Sequence, residues 1–196
     1  MKTPLHLICR ISLLALSSVI LSQCAHEPVT QANASNASGA KIAADSRAAL
    51  QDLYAKNAAA RRLGKQASGV LVFPHILKGG FVVGAEGGNG ALLGADGSVR
   101  GYYQTAAASY GLQAGVEKFG YALFLMDSKE VANLNQAAGW SVGTSPSLVV
   151  VDRGLSAELT TKTVDRGTYA FIFDQRGLMG GVSLKGSKIT RIKPGS

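Results

Sequence analysis

Glycine and proline punctuate one apolar stretch, Gly69–Gly90, and this feature restricts the fold more than any other part of the chain. It reads GVLVFPHILKGGFVVGAEGGNG, with one apolar run at Val70–Phe73 that ends before a proline and a second run at Phe81–Val83. Short runs rich in Val and Phe between Gly and Pro are typical of buried strands joined by tight connections. The pattern predicts two strands with a break at the Gly79-Gly80 pair, and it shows no catalytic signature.

Composition allows one domain with a substantial core and favours anionic partners. The chain has 196 residues, of which 46% are hydrophobic, and this fraction argues against overall disorder. Thirteen of the 24 glycines lie between Gly69 and Gly120, so they reflect local backbone geometry and not a flexible linker. The 20 Lys and Arg residues outnumber the 12 Asp and Glu residues, a net charge of +8. Lipid headgroups, nucleic acid and acidic proteins are all compatible with this balance.

The amino terminus carries an export signal. Lys2 and Arg10 flank a short polar start, and the eleven-residue apolar run Ile11–Leu21 comes directly after it. This run is too short to span a bilayer but has the right length for the core of a secretory signal. We therefore predict a signal peptide over residues 1–23.

The cysteine content indicates a lipid anchor. Leu21-Ser22-Gln23-Cys24 resembles a bacterial lipobox, although Gln23 occupies a position where that pattern has Gly, Ala or Ser. Cys9 would leave with the signal, so the mature chain would hold one cysteine, 18 basic and 12 acidic residues, a net charge of +6. We predict lipidation at Cys24 and an outer-membrane lipoprotein of the bacterial envelope. The alternative is an ordinary cleavage that leaves a free thiol.

A tether and a basic helix come next. Residues 24–40 are rich in Ala, Asn, Ser and Gln, which predicts a flexible tether before a domain over residues 41–196. Lys41–Gln66 contains good helix formers and no proline, and its apolar residues fall on one stripe. Such a helix can lie on a membrane surface or pack its stripe on a sheet, and we favour packing. Near its end it carries three cations, Arg61, Arg62 and Lys65.

The remainder reads as strands with one inserted helix. Asp96-Gly97 is a hairpin turn signal that precedes the strand candidate Val99–Thr105. Asp127 and Glu130 form a capping-box pattern for a helix that Gly139 would end. The other strand candidates are Phe119–Met126, Leu148–Val151, Leu159–Val164, Tyr169–Phe173 and Leu178–Leu184. We predict an α+β fold, with an antiparallel β-rich sandwich or barrel-like body, an amino-terminal helix and one inserted helix.

Candidate catalytic motifs lack the context they need. Gly139–Gly143 reads G-x-S-x-G, but a helix precedes it and no histidine lies after it. Gly181–Lys188 lacks the Lys-Ser/Thr order of a P-loop. His75 has no neighbouring Cys or His for zinc, and Glu86 and Glu117 are expected to be solvated surface acids. The sequence predicts no enzyme, no cofactor and no metal site.

The carboxyl end carries the strongest charge signal. From Gln175 onward there are five basic residues and no acid: Arg176, Lys185, Lys188, Arg191 and Lys193. Each Lys or Arg beside anionic lipid contributes about 1 kcal/mol, so these residues and those of the helix are predicted to bind headgroups. The alternative is an exposed edge strand and tail kept soluble by charge. Nucleic acid is not a predicted partner, because the basic residues are not interleaved with exposed aromatics.

Several blocks in order resemble the SYLF-domain family. They are GVLVFP, GGFVVGAEGGNGALL, GYYQTAAASYGLQAG, YALFLM and GLMGGVSLKGSKI, and the resemblance covers roughly Ala43 to Ile192. The family includes bacterial lipoproteins and eukaryotic proteins associated with lipids and actin. The resemblance implies a single α+β domain that binds phospholipids, which are phosphoinositides in eukaryotic members. We therefore expect a domain that binds anionic phospholipids at a membrane surface. The alternative is a non-enzymatic envelope scaffold or surface antigen that contacts proteins not yet known.

Overall fold

A curled sheet with helices against one side forms the body of the protein. The computed structural model describes residues 38–135, 139–142, 148–151, 167–177, 184 and 186–195, with the backbone alone at 109–114. The helices are Gly39–Lys56 (α1), Ala58–Gly64 (α2) and Ser128–Asn133 (α3). The strands are Gly69–Leu93 (β1), Val99–Leu125 (β2), Trp140–Ser141 (β3), Leu148–Val150 (β4), Thr168–Gly177 (β5) and Lys188–Ile192 (β6).

These strands belong to one six-stranded sheet. Its order is β3-β6-β2-β5-β4, with β1 paired to β2. All pairings are antiparallel except that of β4 with β5. The α+β class and the barrel-like body are confirmed.

The predicted single helix is two helices, interrupted at Asn57. This residue is extended, with φ −134° and ψ 109°. Its N–H donates to the Leu53 carbonyl at the end of α1, and its Oδ1 accepts from Ala60 N at the start of α2. The break therefore comes from a residue that caps one helix and begins the next. Gly64 is the last residue of the second helix.

Helix α1 packs on the sheet, as favoured from the sequence. Its buried face includes Ile42, Leu50 and Leu53, and it crosses β1. The exposed Lys41 and Lys56 pair with aspartates four residues away on the same helix, at 2.8 and 2.5 Å. The apolar stripe is therefore covered by the sheet.

Pro74 does not end the first strand, and the predicted break at the Gly79-Gly80 pair does not separate two strands. β1 continues through both. It tolerates Pro74 because the register with β2 skips from Phe73 to Ile76, so no hydrogen bond from a proline N–H is needed there. The hairpin turn lies at Gly94–Ser98, where Gly97 has φ +75°. The Asp96-Gly97 turn signal is confirmed.

Strand β1 bends at its middle and folds back on itself. At Val82 φ is +65°, and the register with β2 shifts between Phe81 and Val83. A Cβ at Gly90 would clash with the Val72 carbonyl oxygen, and one at Gly88 would clash with that of His75. The two halves of β1 therefore lie against each other, and this contact curls the sheet into its barrel-like shape.

The sheet has a core on each side. Phe73, Tyr121 and Trp140 lie in the core inside the curl, and Val72 and Phe124 lie in the core under α1. Alternation along each strand sends successive residues to opposite sides, which explains how one strand serves both cores.

The last helix and strand differ in part from their predictions. Asp127 caps α3 by accepting from Lys129 N and Glu130 N, but the helix ends at Asn133 and not at Gly139. Strand β6 pairs with both β2 and β3, so the alternative of an exposed edge strand is wrong. The strand predicted over 159–164 lies outside the described residues. Residues 178–183 of the strand predicted over Leu178–Leu184 also lie outside them.

Candidate functional site: a cationic end beside the hairpin turn

The first cationic cavity lies between the two amino-terminal helices and the Gly94–Ser98 turn. It has a volume of about 320 Å³. Arg47, Arg61 and Lys65 supply its positive charge. Arg47 is held in place because its Nε donates to the Gly97 carbonyl at 3.0 Å. The carboxyl end of α2 presents Arg61 and Lys65 to the same space, so the cavity exists only because α2 turns back beside α1.

Apolar side chains form the wall of this cavity. Leu50 comes from α1, and Val70 and Leu93 come from the two ends of β1. Tyr54 also lines the cavity, and burial raises its pKa to about 12. Its hydroxyl is protonated at neutral pH, as that of an ordinary tyrosine is, and can donate a hydrogen bond to an anion. The cavity combines cations, a neutral donor and an apolar wall, as a phosphate attached to an apolar group requires.

The second cationic cavity is a groove of about 610 Å³ between the start of β2 and the end of β6. Arg100, Arg191 and Lys193 supply its charge, and Val99 and Ile192 are among its apolar residues. Arg191 Nη1 donates to Asn135 Oδ1 at 3.1 Å, which orients the guanidinium. The groove therefore has the same combination of charge and apolar surface as the first cavity.

The hairpin turn joins the two cavities. Gly97 lines the first and Val99 lines the second, two residues apart. Arg100 also connects them, because its Nη1 donates at 2.9 Å to the carbonyl of Ser68, between two residues that line the first cavity. Among the residues that the structure describes, no Asp or Glu lines either cavity. We call this surface the cationic end; its cations are Arg47, Arg61, Lys65, Arg100, Arg191 and Lys193.

One acid lies in the turn between the cavities. Asp96 Oδ1 accepts from Ser98 Oγ at 2.6 Å and from Ser98 N at 3.1 Å. These hydrogen bonds lower the pKa of Asp96. The charge of Arg100 lowers this pKa further, so Asp96 interacts with one cation of the second cavity, although it is fully exposed and screened by solvent.

The chain enters the domain at this same end. Gly39 N donates to the Gly195 carbonyl at 3.2 Å, and Ser38 forms a bridge with the same residue. Pro194, the preceding residue, lines the second cavity. Any anchor that precedes Ser38 is therefore connected beside the cationic end.

The structure brings together four of the predicted headgroup residues and separates others. Arg61, Lys65, Arg191 and Lys193 are at the cationic end, and Arg62 lines neither of its cavities. Cys24 and Lys185 lie outside the described residues.

Arg176 and Lys188 lie elsewhere on the molecule. Arg176 pairs with Lys118 near the opposite end of the sheet and lines a cavity of about 460 Å³ that also contains Asp174. Lys188 lies opposite Ala106 and Ser141 in the sheet. The structure therefore does not bring these two predicted headgroup residues to the cationic end.

Two cations of the site, Arg47 and Arg100, were not predicted from the sequence. Arg47 was one of several basic residues on a helix, and Arg100 came after a turn signal. The sequence signals were charge and exposure alone. The hydrogen bonds that hold these two arginines at the site are long-range. Arg47 contacts Gly97, 50 residues away, and Arg100 contacts Ser68, 32 residues away.

Glu86 and Glu117 are not solvated surface acids, which corrects the sequence expectation. Glu117 is buried, with only 3% of its surface exposed, and its Oε2 has no hydrogen-bond partner among the described residues. Glu86 Oε1 accepts from Ser187 Oγ at 3.2 Å. Burial raises the pKa of Glu86, as does the charge of Glu117, while Ser187 and Lys78 oppose the rise. The interior of the curl thus ends in a polar cluster.

Glu86 is expected to make folding sensitive to pH. The folded state holds its proton more tightly than the unfolded chain, because its folded pKa is raised. Its contribution to stability therefore falls as the pH rises through the interval between the ordinary pKa of glutamate and the raised value. Glu86→Gln should remove this loss. The free energy of unfolding of the variant minus that of the wild type should therefore increase as the pH rises through that interval, and it should be constant above it.

Urea denaturation at several values between about pH 4 and pH 8 measures the difference. Asp174→Asn, which removes an exposed carboxylate, is the control and should match the wild type. A constant difference between Glu86→Gln and the wild type over the whole range would contradict the assignment.

Neither a metal site nor a membrane-spanning helix is found in the described ranges. No three His, Cys, Asp or Glu side chains there gather closely enough to hold a metal ion. No helix in the same ranges is both long and apolar enough to cross a bilayer.

The fold and the site define an α+β domain with a curled sheet and a cationic end. Residues 106–193 match the family model Ysc84, described as "Las17-binding protein actin regulator". This match supports membership of the SYLF-domain family, which the sequence motifs indicated. The matched range includes Arg191 and Lys193 of the second cavity but not the residues of α1 and α2. No curated protein matches the chain.

Proposed function

We propose that this protein is a lipid-anchored protein of the bacterial envelope whose SYLF domain binds anionic phospholipid headgroups. The observation that carries the proposal is the cationic end, where six cations line two adjoining cavities. The proposal includes no enzymatic step, cofactor or nucleic-acid partner. The family resemblance to lipid-associated proteins supports it.

The cationic end has the chemistry that phosphate binding needs. Guanidinium groups make paired hydrogen bonds to phosphate, and an ammonium adds a compact positive charge. Because the half-buried apolar residues Val99 and Ile192 lie beside the cations of the second cavity, the glycerol and the first acyl carbons can be covered while the phosphate is bound. At about 1 kcal/mol for each Lys or Arg near anionic lipid, the site provides several kcal/mol of attraction.

The proposed anchor at Cys24 reinforces this contact. Ser38 is fourteen positions after Cys24, and a flexible chain of that length has a typical end-to-end distance of about 20 Å. Since Ser38 lies beside the second cavity, the tether would hold the cationic end close to the bilayer. Each buried acyl methylene contributes about 0.8 kcal/mol, so two or more chains make the attachment firm.

An exposed apolar corner favours the alternative function, a scaffold or surface antigen that contacts proteins. Phe81, Val83 and Val116 are 79%, 61% and 56% exposed at the bend of β1. The bend begins at Phe81, twelve positions after Gly69, so it lies roughly 40 Å along the strand from the cationic end. Clustered exposed apolar residues mark interaction surfaces in many proteins.

Vesicle flotation of the full chain and of Cys24→Ser tests the proposal. We expect the wild type, expressed in bacteria, to float with both neutral and anionic vesicles at high salt, because its anchor does not depend on charge. Cys24→Ser should float with anionic vesicles alone and lose this binding as salt increases, because screening removes the headgroup contact.

Two other results would count against the proposal. Absence of flotation by Cys24→Ser on anionic vesicles at low salt would favour the scaffold alternative. Identical behaviour of the two proteins would exclude the anchor.

A further inference from the structure

We propose that the cationic end takes one lipid that carries two phosphate groups, with one phosphate in each cavity. This inference rests on the proposed function and names the class of lipid. It comes from the division of the cations into two sets of three, on either side of a single turn.

Each cavity is sufficient for one phosphate. The first provides Arg47, Arg61 and Lys65, and the second provides Arg100, Arg191 and Lys193. Three cations more than balance the charge of one phosphodiester. A lipid with a single phosphate would therefore leave three cations without an anion.

The two cavities are close enough for one headgroup. Their linings approach at Gly97 and Val99, two positions apart at the turn, so the Cα atoms of these residues are at most about 7 Å apart. A short bridge of a few atoms, such as glycerol, joins two phosphates over a comparable span. Arg100 stands between the cavities, because it lines the second and donates to Ser68 beside the first.

The second cavity also offers apolar surface to the part of a lipid that adjoins its phosphate. Its residues Val99 and Ile192 are half-buried, whereas Leu50, Val70 and Leu93 behind the first cavity are at most 8% exposed. A free bisphosphate would leave the apolar surface of the second cavity without a partner. The arrangement therefore fits a lipid in which an acyl-bearing part adjoins a phosphate.

Vesicles of matched surface charge test the inference. One set contains about 10 mol% diphosphatidylglycerol and the other about 20 mol% phosphatidylglycerol, both in phosphatidylcholine, so that the phosphate charge is equal. Full-length Cys24→Ser is used, so that binding does not depend on an acyl anchor. We expect about tenfold tighter binding to the lipid with two phosphates.

The preference should need both cavities. Arg61→Gln/Lys65→Gln disables the first and Arg191→Gln/Lys193→Gln disables the second, and either pair should reduce the preference to about one. The control is Lys41→Gln/Lys56→Gln, which removes two charges that are already paired with aspartates on α1. The control should keep the preference.

Equal binding of the two vesicles, or a preference that survives in both cavity variants, would overturn the inference and leave the proposed function standing. Failure to bind either vesicle would overturn both.

Discussion

Gly90→Ala should lower the free energy of unfolding by about 3 kcal/mol, which is the upper part of the range for an overpacked interior. The added Cβ would clash with the Val72 carbonyl oxygen and would lie 2.7 Å from Phe73 Cδ1. Backbone cannot move aside as a flexible side chain can, so the two halves of β1 would have to separate. Because a domain of this size is stable by about 5–15 kcal/mol, the loss would be a large fraction of the total.

Gly79→Ala is a matched control in the same strand. A Cβ at Gly79 meets no backbone atom closer than 3.9 Å, and its φ is not in the left-handed region. We expect a change within about 0.5 kcal/mol, since the new methyl group contacts little and the unfolded chain loses some freedom. Urea denaturation of both variants measures the effects. Equal stabilities for the two alanine variants would show that the halves of β1 are not in close contact.

Arg61→Gln/Lys65→Gln should weaken binding to anionic vesicles about thirtyfold. Two cations at about 1 kcal/mol each account for roughly 2 kcal/mol, which converts to that ratio. Both residues line the first cavity and are exposed at the end of α2, so the substitution should leave the fold intact. Flotation of the Cys24→Ser chain at low salt measures the change.

A charge-matched control separates the site from net charge. Lys41→Gln/Lys56→Gln removes the same two charges from the same helical region, where each lysine pairs with an aspartate. Exposed ion pairs contribute at most about 1 kcal/mol to stability, so this variant should also fold. A loss of binding as large as that of the cavity variant would mean that total charge, and not the first cavity, attracts the vesicle.

Local patterns predicted the turns and helix ends well. The Asp96-Gly97 signal marks the observed hairpin turn, because Asp96 accepts from Ser98 and Gly97 adopts φ +75°. Asp127 caps α3, since its side chain accepts from two backbone N–H groups within three residues. These interactions involve neighbours in sequence and therefore depend on a few residues read directly from the chain.

Long-range pairing limited the other predictions. Pro74 and the Gly79-Gly80 pair suggested two short strands, whereas the partner strand β2 accommodates both in one strand of 25 residues. Glu86 and Glu117 gave no sequence signal of burial, because 31 positions separate them and only the curl of the sheet buries Glu117 and half-buries Glu86.

By itself the sequence determined the class of fold, the family, the positions of the tight turns and the excess of positive charge. Each of these depends on residue type or on contacts within a few positions. Tertiary structure alone decided which cations share a site. It joined Arg47 to Gly97 and Arg100 to Ser68, and it sent Arg176 and Lys188 elsewhere. The physical reason is that a shared electrostatic site depends on distance in space, which the folding of β1 on itself sets and which separation along the chain does not show.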